Sequence, residues 1–251
     1  MSRPRFPPET LDHIVDHLQD DPGALTQCCL VSKSWVPRTR RHLFANIKLS
    51  SNRLKMWKKA FPDPTNSPAH HTRTMNIDLD GEDAESGSWI RGFSRVEGLS
   101  LSATRTVSTS FTPFYNLSTS LKSLCVRSYI LHPQVLSLIR SLPLLEDLTL
   151  ISEGDVVSTD GELDEPQPPV PPPVSPVFTG SLWLLLELGM APTVRRLLDF
   201  PNGLHFRQIK LSTFEGEDIH SIAELVAACS GTLECLYVGL CENGEHGSVH
   251  R

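Results

Sequence analysis

Residues 121–126 read LKSLCV and residues 145–150 read LEDLTL, two copies of a phrase with apolar residues at its first, fourth and sixth positions. Further copies occupy residues 96–101, 206–211 and 233–238, and a weaker copy, Met75-x-Ile77-x-Leu79, precedes them. Starts are 25 and 24 residues apart in the three consecutive middle copies and 27 apart in the last two. The alternation predicts short strands, and this period is typical of stacked repeats, because one repeat alone cannot bury its apolar face.

Between the phrases, helical periodicity predicts outer helices at residues 132–142 and 218–229. The chain therefore belongs to the α/β class (α+β overall), with short parallel strands and outer helices. A conventional α/β domain with full crossover helices stays as an alternative, although a period near 25 residues leaves little room for such helices.

Two segments interrupt or end this pattern. Residues 152–177 change from an acidic stretch to one with seven prolines, which cannot join a strand ladder, so we expect a disordered insertion. Its P-x-x-P content leaves an SH3 or WW ligand as an open alternative. Residues 241–251 bring no apolar helix to cover the last phrase, so we expect an exposed last strand. That strand would belong to a shortened chain or bind another chain.

The first fifty residues have a different pattern. An apolar stripe at helical spacing marks a first helix, with Leu11, Ile14, Val15 and Leu18 as its members. Asp21-Pro22 is a start signal for a second helix, and Pro37 suits the start of a third. Residues 43–49 then alternate as a strand would. This unit is too small to bury much surface alone, which favours partner binding.

These residues resemble an F-box, in particular that of a large fungal family of mushroom type. The matching positions are Pro7, Pro8, Glu9, Leu11, Ile14, Leu18, Leu25, Cys28, Leu30, Val31, Trp35, Arg40, Leu43, Phe44, Ile47 and Leu49. Phe6 and Thr10 depart from the family pattern. The repeats resemble an irregular, incomplete leucine-rich-repeat solenoid without the usual asparagine, and residues 178–206 resemble the C-terminal region of the same family.

The resemblance implies a substrate-recognition adaptor of a cullin-RING ubiquitin ligase of SCF type. It divides the chain into an F-box at 1–50, a basic linker helix with a Pro/Ser loop at 51–71, and a repeat region at 72–251. The F-box would dock on a Skp-family subunit, and through it on cullin, with Pro7, Pro8, Leu11, Ile14, Leu18, Leu25, Cys28, Val31 and Trp35. The outward positions of the strands would hold an unknown protein substrate, with Asp78, Ser100, Arg127, Asp147, Lys210 and Tyr237 as candidates.

Charge is unevenly distributed along the chain. Residues 22–62 contain nine Lys or Arg and no Asp or Glu, whereas the remainder carries 14 − 29 = −15, which gives the total of −6. A basic window beside a docking face would accelerate encounter with an acidic partner such as the family's adaptor subunit. Nucleic-acid binding, with Trp35 and Trp57 as stacking residues, is ranked last because the whole chain is acidic and no recognition motif accompanies the window.

No motif of catalysis, metal binding or cofactor binding is present in the sequence. The six cysteines contain no C-x-x-C pair, and His13 and His17 share a helix face without an H-E-x-x-H motif. We therefore expect no enzyme activity, no cofactor, no metal and no membrane span, and a cytoplasmic or nuclear location. A repeat-type interaction scaffold without ligase activity is the alternative function.

Overall fold

The computed structural model describes residues 7–79, 87–103, 111–117, 119–128, 133–152, 178–186, 190–212 and 216–239. The fold within these residues is α/β, with one open sheet of eight parallel strands whose spatial order equals their chain order. The strands are β1 Asn46–Leu49, β2 Thr74–Asp78, β3 Gly98–Ala103, β4 Ser123–Ser128, β5 Asp147–Ser152, β6 Ser181–Leu186, β7 Gln208–Ser212 and β8 Cys235–Gly239. This confirms the predicted α/β class and the parallel strands.

The described residues also contain seven α-helices. They are α1 Pro8–His17, α2 Pro22–Val31, α3 Val36–Leu43, α4 Ser51–Ala60, α5 Pro133–Arg140, α6 Met190–Leu198 and α7 Ile219–Ala228. The first three have proline in their first turn, and Asp21 accepts a hydrogen bond of 2.9 Å from the backbone N–H of Ala24 at the start of α2. Short 3-10 helices, such as Gly87–Gly92 and Thr112–Leu117, precede other strands.

Each repeated phrase forms a strand, and the phrases lie in register across the sheet. Strand pairing forms two inner rows of apolar side chains. The first row contains Met75, Leu99, Leu124, Leu148, Leu182, Ile209 and Leu236, and the second contains Ile77, Leu101, Val126, Leu150, Leu184, Leu211 and Val238. From β2 to β7 all members of both rows are buried. Burial of these rows against the helical layer provides the hydrophobic free energy that holds the strands together.

Strand β6 was not among the predicted phrases. Thr179 stands three residues before Leu182, where the five full copies have an apolar residue. Phe178, one residue earlier, supplies the missing apolar side chain and packs on Phe206 and Phe200 at centroid distances of 4.7 and 5.4 Å. Only the first apolar position of the phrase is thus shifted by one residue at this strand. Its other two apolar residues, Leu182 and Leu184, pair in register with β5.

A column of charged residues stands just before the strands. The backbone N–H of each member donates a hydrogen bond of 2.7–3.2 Å to the carbonyl oxygen of the preceding member. The members are Arg73, Glu97, Lys122, Glu146, Gly180, Arg207 and Glu234. The charges alternate in sign on either side of Gly180. Ion pairs join Arg73 to Glu97 and Arg207 to Glu234.

The sheet begins inside the N-terminal fifty residues, because β1 pairs in parallel with β2. Trp57 of α4 joins this end of the sheet to the helices: its ring lies 6.0 Å from that of Phe44, 4.8 Å from Phe61 and 5.5 Å from Phe93. The division at residues 50 and 71 remains a prediction, and β1 is continuous with the sheet that follows it.

The predicted helices at 132–142 and 218–229 correspond to α5 and α7. The basic linker helix corresponds to α4. Phe6, residues 153–177 of the Pro-rich insertion and the tail beyond residue 239 lie outside the described residues. Among the helices that are described, none combines the length and the apolar character needed to cross a bilayer.

Candidate functional site

In the helical unit, defined here as α1 to α3, a polar cluster around Asp16 joins α1 to α3. The Nε atom of Arg38 donates to Oδ1 of Asp16 at 2.7 Å, and Nη2 of Arg38 donates to Oδ2. The Nε2 atom of His42 also lies 2.7 Å from Oδ1 and is the donor, because a carboxylate only accepts. Asp16 thereby ties α1 to the first and last turns of α3.

These contacts stabilise the charged forms of Asp16 and Arg38. The hydrogen bond from Arg38, followed by that from His42, holds the pKa of Asp16 well below its usual value. The same bond raises the pKa of Arg38. Asp16 lies on the polar side of the apolar stripe of α1, and the approach of α3 gives it two partners.

The apolar residues of the helical unit divide into buried and exposed groups. Val15, Leu25 and Cys28 are buried between the helices. Ile14, Leu30 and Val31 are exposed, the last two by 78% and 70%. Leu30 and Val31 are neighbours in the chain, and exposed apolar side chains mark an interaction surface where they form a contiguous patch.

The predicted adaptor-contacting residues are placed in three ways. Pro7, Ile14 and Val31 are exposed; Leu11, Leu18 and Trp35 are partly buried; Leu25 and Cys28 are buried and help pack the unit. Pro8 begins α1. Leu30, which matches the family pattern but was not among the predicted contacts, is the most exposed large apolar residue described. Its position next to Val31 at the end of α2 is the signal that could have found it.

The outward side of the sheet is the second candidate surface. Its central row, defined by strand pairing, consists of Lys48, Asn76, Ser100, Cys125, Thr149, Trp183, Lys210 and Tyr237. Three of the six predicted substrate residues, Ser100, Lys210 and Tyr237, lie in it. Asp78 and Arg127 belong to the neighbouring row toward the strand ends, and Asp147 belongs to the row at the strand starts.

The two halves of this outward side differ in shape. Over β1 to β4 it contains an open cavity of about 410 Å³, lined by residues that include Lys48, Asn76, Gly98, Ser100 and Cys125. Over β6 to β8 it is built up by Trp183 and Tyr237, with Lys210 between them. Trp183 was not predicted because β6 was not predicted. Small side chains thus form the depression and aromatic rings form the raised end.

Asp147 has a structural role within this surface. Its Oδ1 atom accepts hydrogen bonds of 2.7 Å from both the backbone N–H and the hydroxyl group of Ser181. Gly180 stands close enough that a Cβ atom there would lie 2.5 Å from the same oxygen. Asp147 therefore fastens the start of β6 to β5, which explains why an acidic residue follows the charged column at this point.

Basic residues of the N-terminal window meet at the junction of α3 with the 3-10 helix Pro68–His71. The rings of His70 and His71 lie 3.9 Å apart between centroids. Burial, followed by the positive charges of His70, Arg41, Arg95 and Arg40, lowers the pKa of His71. Trp57, one of the two tryptophans considered for base stacking, is occupied by its three aromatic neighbours.

Other reactive groups provide no competing site. No group of three or more metal-ligating side chains occurs within the described ranges. His13 and His17 are exposed on α1. Cys229 is buried, and burial raises the pKa of its thiol, which makes it a core residue rather than a nucleophile.

The chain matches no family model, no curated protein and no solved structure. The geometry of the helical unit and of the outward sheet face is therefore the basis on which a function is assigned.

Proposed function

We propose that this chain is a substrate-recognition adaptor of an SCF-type ubiquitin ligase, with an F-box at residues 1–50 and an incomplete leucine-rich-repeat-like solenoid behind it. The observation that carries the proposal is the exposure of Ile14 on α1 and of Leu30 and Val31 on α2, beside a polar cluster that joins α1 to α3. The resemblance of the N-terminal residues to an F-box names the partner that would cover them, a Skp-family subunit bound in turn to cullin.

The energetics support docking at this surface. Full burial of one exposed Leu or Val side chain contributes about 1.5–3 kcal/mol, so Leu30 and Val31 can contribute part of a micromolar affinity. The cluster around Asp16 joins α1 to α3, and the buried side chains of Val15, Leu25 and Cys28 complete the packing of the unit without these exposed side chains. The exposed residues are therefore available to a partner at no cost to the packing of the unit.

Charge supports the choice of partner. The basic window from residue 22 to residue 62 includes α2, α3 and α4, and an acidic adaptor subunit would be drawn to it over distances of about 10 Å at moderate salt. In this proposal the chain performs no chemical step, because ubiquitin transfer belongs to the other subunits. Its own contribution is to hold a substrate protein on the outward side of the sheet.

The test is binding of the purified chain to a purified Skp-family subunit, with Val31→Asp as the variant and Met56→Asp as the control. Both residues are 70% exposed and both substitutions add one negative charge, but Met56 lies on α4, outside the helical unit. We expect Val31→Asp to weaken binding at least about a hundredfold, which corresponds to losing one anchor and burying a charge. Met56→Asp should leave binding unchanged.

Absence of binding by the unsubstituted chain at micromolar concentration would refute the adaptor proposal. Equal binding by the Val31→Asp and Met56→Asp variants would refute the docking surface. A chain that bound protein ligands on its sheet but no Skp-family subunit would instead be the interaction scaffold that the sequence left as the alternative, and the separate sheet surface is the observation that favours it.

A further inference from the structure

The outward end of the sheet carries an aromatic–cation–aromatic cluster made by three consecutive strands. Lys210 on β7 places its Nζ atom 5.7 Å from the ring centroid of Trp183 on β6 and 5.4 Å from that of Tyr237 on β8. Strand pairing puts the three residues directly side by side in the central row. We name this set the WKY cluster.

The WKY cluster is accessible although it is rich in aromatic surface. Trp183 and Tyr237 are 43% and 55% exposed, and Lys210 is exposed as well. Trp and Tyr supply a large contact area with few rotatable bonds, which is why they dominate binding hot spots. The two rings stand on β6 and β8, on either side of Lys210 on β7, and both remain accessible to a ligand.

The two rings also prepare Lys210 for a ligand. A free lysine loses much side-chain entropy when it is fixed in an ion pair, and contact with ring faces on both sides restricts it in advance. A carboxylate that approached from solvent would therefore meet a cation already held in place. Apolar or proline residues beside that carboxylate would rest on the rings.

The charges of the row agree with an anionic ligand. The central row contains two cations, Lys48 at β1 and Lys210 at β7, and no Asp or Glu. Within the described residues neither lysine is ion-paired. The chain as a whole has a net charge of −6, so this positive row is opposite in sign to the average of the molecule.

The spacing of the row fits an extended segment. Six strand intervals separate Lys48 from Lys210, and at about 4.8 Å per interval this is roughly 29 Å along the sheet. A peptide in polyproline II conformation rises about 3.1 Å per residue, so nine or ten residues, roughly the same 29 Å, span that distance. The cavity over β1 to β4 lies beneath the same path.

From these features we infer that the central row binds an extended acidic segment of a protein, lying across the strands, with the WKY cluster as its anchor. This inference rests on the proposed function, in which the sheet holds the substrate, and it adds the chemical class of the segment that is held. Lys48 and the cavity would receive the other end of the segment.

The test uses a fluorescein-labelled twelve-residue peptide of alternating Glu and Pro, with the Gln-Pro peptide of equal length as the neutral probe. Fluorescence anisotropy with the full chain at low ionic strength should show binding of the Glu-Pro peptide and at least about tenfold weaker binding of the Gln-Pro peptide. Binding should weaken as salt is raised, because part of the attraction is between exposed charges.

Substitutions distinguish binding at the WKY cluster from attraction by positive charges elsewhere on the chain. Lys210→Gln and Trp183→Ala should each lower the affinity about tenfold, and Lys210→Arg should retain it, since arginine also stacks on aromatic faces. Lys59→Ala removes one positive charge from α4 instead and should change the affinity less than twofold. Equal losses in Lys59→Ala and Lys210→Gln, or equal binding of the two peptides, would overturn the inference.

The Val31→Asp chain distinguishes failure of the peptide-binding inference from failure of the adaptor proposal. It should bind the Glu-Pro peptide as the unsubstituted chain does while losing the Skp-family subunit. Conversely, Trp183→Ala should keep the Skp-family subunit. If peptide binding is absent in a chain that still binds that subunit, the inference is wrong and the adaptor proposal stands.

Discussion

In the parallel sheet, the inner rows are buried without interruption from β2 to β7, whereas the helical unit buries Val15, Leu25 and Cys28 and leaves Ile14, Leu30 and Val31 in solvent. The sheet is held by apolar contact between repeats. In the helical unit, one carboxylate shared between Arg38 and His42 joins α1 to α3 beside a small apolar core. The difference shows that apolar burial is extensive in the sheet and limited in the helical unit, where a polar contact supplements it.

The largest loss of stability is expected from a substitution in the inner rows of the sheet. Leu148→Ala removes a fully buried side chain from β5 and should lower the free energy of unfolding by about 3 kcal/mol, within the usual 2–5 kcal/mol for such cavities. Leu236→Ala is the matched control, because Leu236 holds the same row position on β8 but is 43% exposed. Its cost should be below about 1 kcal/mol. Urea denaturation of both variants measures the difference, and equal losses would show that the rows do not carry the stability.

A smaller effect is expected where β6 is fastened to β5. Gly180→Ala would place a Cβ atom 2.5 Å from Oδ1 of Asp147 and 2.9 Å from the carbonyl oxygen of Glu146, so the start of β6 must shift. Overpacking of this kind costs about 1–3 kcal/mol. Gly231→Ala has no atom within 4 Å of its Cβ and is the control. The thermal midpoints of the two variants should differ by several degrees, and coincident midpoints would show that the close approach is relieved without strain.

The smallest effect on the whole molecule is expected from Asp16→Asn, which should loosen the helical unit and leave the sheet unchanged. Hydrogen exchange at pH 7 should show faster exchange in α1 and α3 and unaltered protection in β3 to β7. Asp12→Asn is the control, since Asp12 is 4.0 Å from Nη1 of Arg38 and largely exposed. Its exchange should resemble that of the unsubstituted chain.

The pH dependence of the same contact has a defined sign. Because the pKa of Asp16 is lowered in the folded chain, its contribution to stability is fully present above the ordinary pKa of Asp, about 3.9, and is lost as the pH falls below that value toward the lowered pKa. The helical unit should therefore keep its protection between pH 7 and about pH 4. Loss of protection in α1 already at pH 6 would show that Asp16 does not hold it.

Much of the fold could be predicted because the apolar positions of the repeated phrase are the positions that are buried in the sheet. Leu124 and Val126 alternate in the sequence at the spacing with which they enter the inner rows, and α7 shows its buried positions at helical spacing. Strand β6 was not predicted because the first apolar side chain of its phrase comes from Phe178, one residue earlier than in the full copies. Helix α6 was not predicted as an element, although Leu197 and Val194 are buried on it.

The candidate surfaces were predicted less completely, since they depend on contacts between distant residues. Nothing near Asp16 in the sequence indicates that Arg38, 22 residues away, will bind it. Trp183 could be placed beside Lys210 only after β6 was known to pair with β7. Ser100, Lys210 and Tyr237 were found because strand alternation alone assigns their side.

The charged column before the strands constrains how such a chain could gain or lose repeats. Loss of the single repeat that begins at Glu97 would bring Arg73 next to Lys122, two like charges at one strand spacing. Loss of two successive repeats would bring Arg73 next to Glu146 and restore attraction. Between Arg73 and Glu146 the column thus favours loss of repeats in pairs, whereas loss of the single repeat that begins at Gly180 would bring Glu146 next to Arg207 and keep the attraction.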